Sequence, residues 1–144
     1  MIRFAQISDV PAIVDMGCKF NASLPDPMPF YRDHAELRAQ QHLMSQDCYS
    51  ALLEIDGSVV GMLLAQITPA NFAPIKLAKE VLFWIEPKHR GNWMRTFLSH
   101  YENWARSKGC QLVGIGSIAG NERAAKVFAR IGYMPIETVM AKKI

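Results

Sequence analysis

The chain has 144 residues, half of them hydrophobic, and a formal net charge of +3, which suits one domain (residues 1–144) around one core and is too mild to imply a nucleic-acid surface. No apolar run approaches the ~20 residues needed to cross a bilayer, and Met1-Ile2-Arg3-Phe4 lacks the apolar stretch of a secretory signal. Three widely spaced cysteines (Cys18, Cys48, Cys110) argue against a disulfide framework and for a reducing, cytoplasmic setting, and the histidines show no metal-ligand spacing.

In chain order, Ile2–Ile7 reads as a first strand. Ser8 or Asp9 then caps a helix with Pro11 in its first turn, followed by Ile13, Val14, Met16 and Gly17. Pro25, Pro27 and Pro29 remove backbone donors and fix φ, so Ser23–Pro29 is expected as a loop. Asp33–Leu43 has helical composition, with Leu37 and Leu43 available to a core. Tyr49–Ile55 and Ser58–Ile67 flank Asp56-Gly57, a strong two-residue hairpin signal. A second loop, Thr68–Pro74, leads to the apolar run Val81–Glu86, expected as a strand buried on both faces. Across Asn92–Lys108, Met94, Phe97, Leu98, Tyr101, Trp104 and Ala105 recur at helical spacing, and Gly109 sits where a C-terminal cap belongs. Leu112–Ser117 reads as a strand, Asn121 caps a helix ending at Gly132, and Tyr133–Met140 reads as a closing strand. The order β-α-α-β-β-β-α-β-α-β is that of a mixed α/β domain, with Val81–Glu86 and Leu112–Ser117 parallel through a right-handed helical crossover.

The most informative stretch is Ile85-Glu86-Pro87-Lys88-His89-Arg90-Gly91-Asn92. A strand, a short basic turn with a glycine, then a helix is an arrangement that aims free backbone N–H groups at a phosphate, because the first helical donors lack intrahelical partners and the dipole favours an anion. Gly91 permits close approach of a ligand to the backbone, and Lys88, His89 and Arg90 add positive charge.

Strand–Pro-Lys-His-Arg-Gly–helix resembles the acyl-CoA pyrophosphate loop of the GNAT N-acetyltransferases, patterned Gln/Arg-x-x-Gly-x-Gly/Ala. Asn121-Glu122-Arg123-Ala124 through Ile131-Gly132-Tyr133 resembles the family's Asn-x-x-Ala…Gly-Phe/Tyr helix and strand. The element order agrees from about residue 2 to residue 140, and the general character is similar to the short members found in phages and prophages. The resemblance implies a GNAT-like α/β fold: a mixed, mostly antiparallel sheet flanked by helices, with a central parallel strand pair that splays at the cofactor site. It implies acetyl-CoA (CoA) as the bound molecule, held by Ile85, Lys88, His89, Arg90, Gly91, Asn92, Trp93 and Asn121. Backbone groups around Trp84–Glu86 would bind the pantetheine arm like an added strand and polarise the thioester carbonyl. Its partners would be a small-molecule or peptide amine, with neither nucleic acid nor membrane, and a homodimer is allowed.

Acetyl transfer from a thioester to an amine needs a neutral amine, a stabilised oxyanion and a leaving thiolate that can take a proton. Glu80, just before Val81, matches the position where many family members carry a base; read from the residues alone it is first a solvated charge at a strand entry, beside Lys76 and Lys79. Glu86 is the rival carboxylate. Asn121 is either a plain N-cap or a ligand contact. Two departures stand against catalysis. The family's glycine or alanine is here Trp93, whose ring either narrows the phosphate cradle or packs beside it, and a further common glycine is Arg95, which reads mainly as a solvated helix charge. The tyrosine that many members place seven residues after the Asn121 position is here Phe128, which cannot donate a proton. Tyr101 and Tyr133 read as core-edge aromatics, Cys110 as inert and His100 as exposed. The loop with Asp26, Phe30 and Tyr31 would sit on the acceptor side, where its acidic and apolar mixture could take a cationic amine.

The leading reading is an acyl-CoA-dependent N-acyltransferase working by direct transfer in a ternary complex. The rival is a GNAT-fold binding or structural protein without turnover, phage-associated for instance, and Trp93, Arg95 and Phe128 favour it.

Overall fold

The computed structural model describes residues 1–116 and 121–144, with the backbone alone at Asn92. Five strands form one sheet in the order β1-β2-β3-β4-β5: β1 (Ile2–Phe4), β2 (Cys48–Ile55), β3 (Ser58–Pro69), β4 (Lys76–Ile85) and β5 (Cys110–Gly114). All neighbours are antiparallel except β4 and β5, which run parallel. Helices α1 (Val10–Ala22) and α2 (Arg32–Met44) precede β2; α3 (Arg90–Ser107) makes the crossover between β4 and β5, and α4 (Glu122–Arg130) follows.

Apolar residues on both faces of the middle strands explain the layering. Leu52, Met62 and Leu64 pack with Val10, Ile13, Val14 and Met16 of α1 and Ala39 of α2. On the other face Ala51, Leu53, Leu63 and Ala65 pack with Phe97, Leu98, Tyr101 and Ala105 of α3 and with Phe128 of α4. The hairpin signal is met: Ile55 pairs with Ser58, and Asp56 and Gly57 carry φ of 51° and 74°, the left-handed pair a type I′ turn requires.

Several expected boundaries are corrected. The first strand stops at Phe4, because Asp9 accepts from Gln6 N and from Arg3 and so draws Ile7–Asp9 into a 3₁₀ turn. Leu37 is 51% exposed, and Ala39 takes the buried position on α2. His100 is half-buried rather than exposed, its Nδ1 lying 2.7 Å from the Tyr49 hydroxyl. β4 begins at Lys76, not Val81, since Lys76–Glu80 pair with β3. Ser117, the expected end of the fifth strand, lies outside the described residues.

Tyr133–Met140 forms no strand. Pro135 interrupts its donors, and Ile136, Val139 and Met140 stay exposed with no partner strand. The parallel pair therefore stands at one end of the sheet, not at its centre.

Candidate functional site

The parallel pair comes apart where chemistry was expected. Its register runs from Lys76↔Cys110 to Lys79↔Gly114 and then ends, while β4 continues to Ile85. Beyond Lys79 the edge of β4 turned away from β3 has no strand partner among the described residues. A β-bulge falls at the same point: Ala65 pairs with Glu80 and Leu64 with Leu82, which leaves Val81 as the extra residue. Bulges kink a strand and re-aim its side chains, and here the kink marks the fork.

Glu80 sits in that fork. Its Oε2 accepts from Gly116 N at 2.8 Å, so one carboxylate bridges the parted strands. Burial pushes the carboxyl above its ordinary range, while the Gly116 N–H opposes the rise. The solvated-charge reading of Glu80 is not what the fold shows. A Cβ at Gly116 would lie 2.8 Å from Glu80 Oε2, closer than real Cβ contacts come, so any side chain there would push the Glu80 carboxylate out of this position. Sequence reasoning passed over Gly116 and the Val81 bulge. The signal was Gly114-Ile115-Gly116, glycines placed inside an expected strand, which mark close backbone approach.

A cleft of about 630 Å³ opens at the fork, lined by Glu80, Val81, Phe83, Trp84 and Ile85 of β4, by Gly116, by Arg90 and Met94 of α3, and by Asn121, Ala124 and Phe128. Four expected site residues thus meet there: Glu80, Ile85, Arg90 and Asn121. Lys88, His89, Gly91 and Trp93 do not line it among the described residues, and the Asn92 side chain is outside them. A 3₁₀ turn, Pro87–His89, runs directly into α3, which starts at Arg90 instead of Asn92. The His89 and Arg90 N–H groups donate to the Glu86 and Pro87 carbonyls, so the donors available to an anion fall at the following residues, Gly91 and Asn92. Nothing lies within 4 Å of a Cβ built on Gly91.

Arg90 folds back onto its own strand. Its Nε donates to the Ile85 carbonyl at 2.8 Å, and its guanidinium lies 4.7 Å from the centre of the Trp84 ring. Only the Nε is engaged among the described residues, which leaves both Nη groups as donors at the cleft. The expectation that backbone around Trp84–Glu86 is open to a ligand holds only in part, because the Glu86 N–H donates to the Val60 carbonyl at 2.8 Å. The Glu86 carboxylate is paired with Lys19 of α1, which weakens it as the rival base. Trp84 is 9% exposed, and its indole N–H finds no acceptor among the described residues. An orphaned donor beside an unpaired strand edge fits a ligand that brings amide and carbonyl groups, as a pantetheine arm does.

Asn121 is an N-cap, its Oδ1 accepting from Ala124 N at 3.1 Å. Trp93 is partly buried against the α3-side core, and Arg95 is exposed. Phe128 is buried at the cleft wall, 6.1 Å from Tyr133 between ring centres. The Tyr101 hydroxyl donates to the Gly114 carbonyl and that of Tyr133 to Glu102, so both have structural partners. Burial pushes the Cys110 thiol up, in keeping with an inert residue. No group of metal-binding side chains occurs among the described residues, and no helix there is long and apolar enough to cross a membrane.

Solved structures share this architecture. A ribosomal-protein-alanine N-acetyltransferase from Brucella melitensis biovar Abortus 2308 superposes with a TM-score of 0.74 at 12% identity, over 100% of this chain and 99% of that one. The aminoglycoside acetyltransferase AAC(6′)-Iy, in complex with a CoA-linked bisubstrate analogue, gives 0.79 at 17% identity over 100% and 97%. A transcriptional regulator from Bacillus halodurans C-125 gives 0.80 at 16% identity over 100% and 99%. Identities this low establish the fold alone. No curated protein matches in sequence. A family model, however, matches residues 18–133, from α1 through the end of α4. The chain belongs to the Acetyltransferase (GNAT) family.

Proposed function

We propose that the protein is an acyl-CoA-dependent N-acyltransferase that carries an acetyl group from acetyl-CoA to a primary amine in a ternary complex. The observation that carries this reading is the Glu80 carboxylate, raised in pKa and held by Gly116 N–H in the fork that lines the cleft. Bound acetyl-CoA supplies a thioester whose acyl group passes to the amine, the N–C bond forming as the C–S bond breaks and CoA leaving as the thiol. The residues do the rest. Gly91 and Asn92 N–H groups at the start of α3 bind phosphate, with Lys88, His89 and Arg90 supplying positive charge around them. The β4 edge from Val81 to Ile85 aligns the pantetheine arm. Glu80 takes the amine's proton, directly or through one water, because an ammonium has no lone pair with which to attack. Phe128 offers no acid, so the proton for the departing sulfur comes from solvent.

Phe128 also favours the second reading, a GNAT-fold protein that binds its ligand without turnover. The neighbour named as a transcriptional regulator shows that the fold alone does not decide between them. Thermal unfolding with acetyl-CoA tests the core of the proposal. Saturation at ~100 times the dissociation constant adds about 2.7 kcal/mol of stability and a clear rise in Tm. No rise at millimolar acetyl-CoA would sink the acyltransferase reading and leave only a binding or structural role that does not use CoA, and a rise without thiol release over a broad amine panel would favour cofactor binding without turnover.

A further inference from the structure

The cleft does not end at Glu80. A second chamber, of about 520 Å³, lies between α1, α2, the proline-rich loop and the sheet, and shares Phe20 and Val81 with the cleft. Val81, the bulge residue next to Glu80 in sequence, lines both spaces, so the chamber adjoins the cleft beside the proposed base. Chambers of this volume hold a small organic molecule.

Its chemistry is one-sided. The floor is apolar, built on Ile13, Val14, Met62 and Leu64. Met28 and Tyr31 of the roof line it and yet remain mostly exposed, 66% and 73%, as apolar surface awaiting cover. The wall residues that can carry positive charge are His34, Arg38 and His42, and no aspartate or glutamate lines it among the described residues. Burial pushes the His42 ring below its ordinary pKa, with nearby Arg38 adding to the effect. Arg38 has no carboxylate partner among the described residues and donates to Gln41. Of the acids on α1, α2 and the proline-rich loop, Asp15 and Glu36 both meet Arg32, and Asp26 meets Lys143. Asp26, expected on the acceptor side, does not line the chamber.

We infer that the acceptor is a primary amine on an apolar body with no second positive charge, its amine at Glu80 and its body in the chamber beneath α1 and α2. This rests on the N-acyltransferase reading. An aliphatic or aromatic body is taken from water by the floor and roof. A second ammonium would be desolvated with no carboxylate to pair it and would face Arg38. Polycations of the aminoglycoside kind are thereby disfavoured, unlike the ligand of the AAC(6′)-Iy complex.

The test compares 4-phenylbutylamine with spermidine and kanamycin by CoA thiol release, in wild type, Gly17→Phe and Arg38→Glu. Gly17 lines the chamber, and nothing lies within 4 Å of a Cβ built there, so a phenyl group at this position occupies the space without displacing backbone. Expected are a kcat/KM for 4-phenylbutylamine at least tenfold above either polycation, and at least a tenfold loss in Gly17→Phe with CoA affinity unchanged. Arg38→Glu should narrow the gap to spermidine. Equal or better turnover of spermidine or kanamycin in wild type would overturn the inference and leave N-acyltransfer standing. If no amine is acetylated, that reading falls, and saturation-transfer NMR of 4-phenylbutylamine decides the chamber separately. Transfer in wild type that disappears in Gly17→Phe upholds apolar amine binding, and absence of transfer in wild type refutes it.

Discussion

The two halves of the sheet behave differently. From β1 to β4 the register is continuous apart from two bulges, and Ala51, Leu52, Leu53, Met62 and Leu63 are fully buried between helix layers. From β4 to β5 only four residue pairs form before the strands part, and Leu112 of β5 is 58% exposed. The first half holds the fold together. The second leaves the outer edge of β4 beyond Lys79 without a strand partner among the described residues and sets the Glu80 carboxylate, held by the Gly116 N–H, at the opening. Stability and chemistry are divided along β4, with the Val81 bulge at the boundary.

The largest expected effect breaks the chemical half alone. Glu80→Gln should lower kcat by ~100- to 10,000-fold, the usual contribution of a general base, with CoA affinity and Tm little changed. The wild-type rate should fall on acidification, with an acid limb above the ordinary carboxylate range, because the raised pKa of Glu80 protonates it early. Glu80→Gln should remove that limb. The linked stability has the opposite sign. A carboxyl that binds its proton more tightly when folded makes the protein lose stability as pH rises through the raised pKa. Persistence of the limb in Glu80→Gln would move the base elsewhere.

The converse break is Leu63→Ala in the buried half. It should cost 2–5 kcal/mol in urea denaturation, whereas Leu112→Ala at the open strand should cost under about 0.5 kcal/mol. Equal costs would erase the distinction between the halves. Next in size, Gly91→Val should weaken CoA at least tenfold by calorimetry and leave the fold intact, since its Cβ meets no protein atom within 4 Å. Gly116→Ala sharpens the boundary itself. Its Cβ must displace the Glu80 carboxylate, so kcat should drop roughly tenfold with CoA affinity retained. The smallest effect belongs to Phe128→Tyr, which returns a hydroxyl to the cleft wall and should raise turnover a few-fold where sulfur departure limits the rate.

Legibility followed the same division. The β2–β3 hairpin, α1 and α3 could be read because apolar period and turn chemistry are local properties of the chain. The fork could not, because it depends on where two distant strands stop pairing. Glu80 was found by position, but its burial and its bond to Gly116 arise only when β4 starts at Lys76 and β5 stops at Gly114. The basic turn was recognised as a helix entrance, yet the 3₁₀ turn at Pro87–His89 moved that entrance by two residues. Tyr133–Met140 had the composition of a strand and no partner. Propensity cannot supply the second strand that a ladder needs.

On the proposed reading, the Lys19–Glu86 pair would connect the two ligand sites thermodynamically. Lys19 stands on α1, a wall of the amine chamber, and Glu86 opens the turn that leads to α3. A molecule bound at one end that favours the paired geometry favours the other end by an equal factor, since coupling between sites is reciprocal. The pair is exposed on the lysine side and so worth at most about 1 kcal/mol, which caps any cooperativity it transmits at roughly fivefold. If the proposal holds, either substrate would then bind first, with the second favoured only slightly.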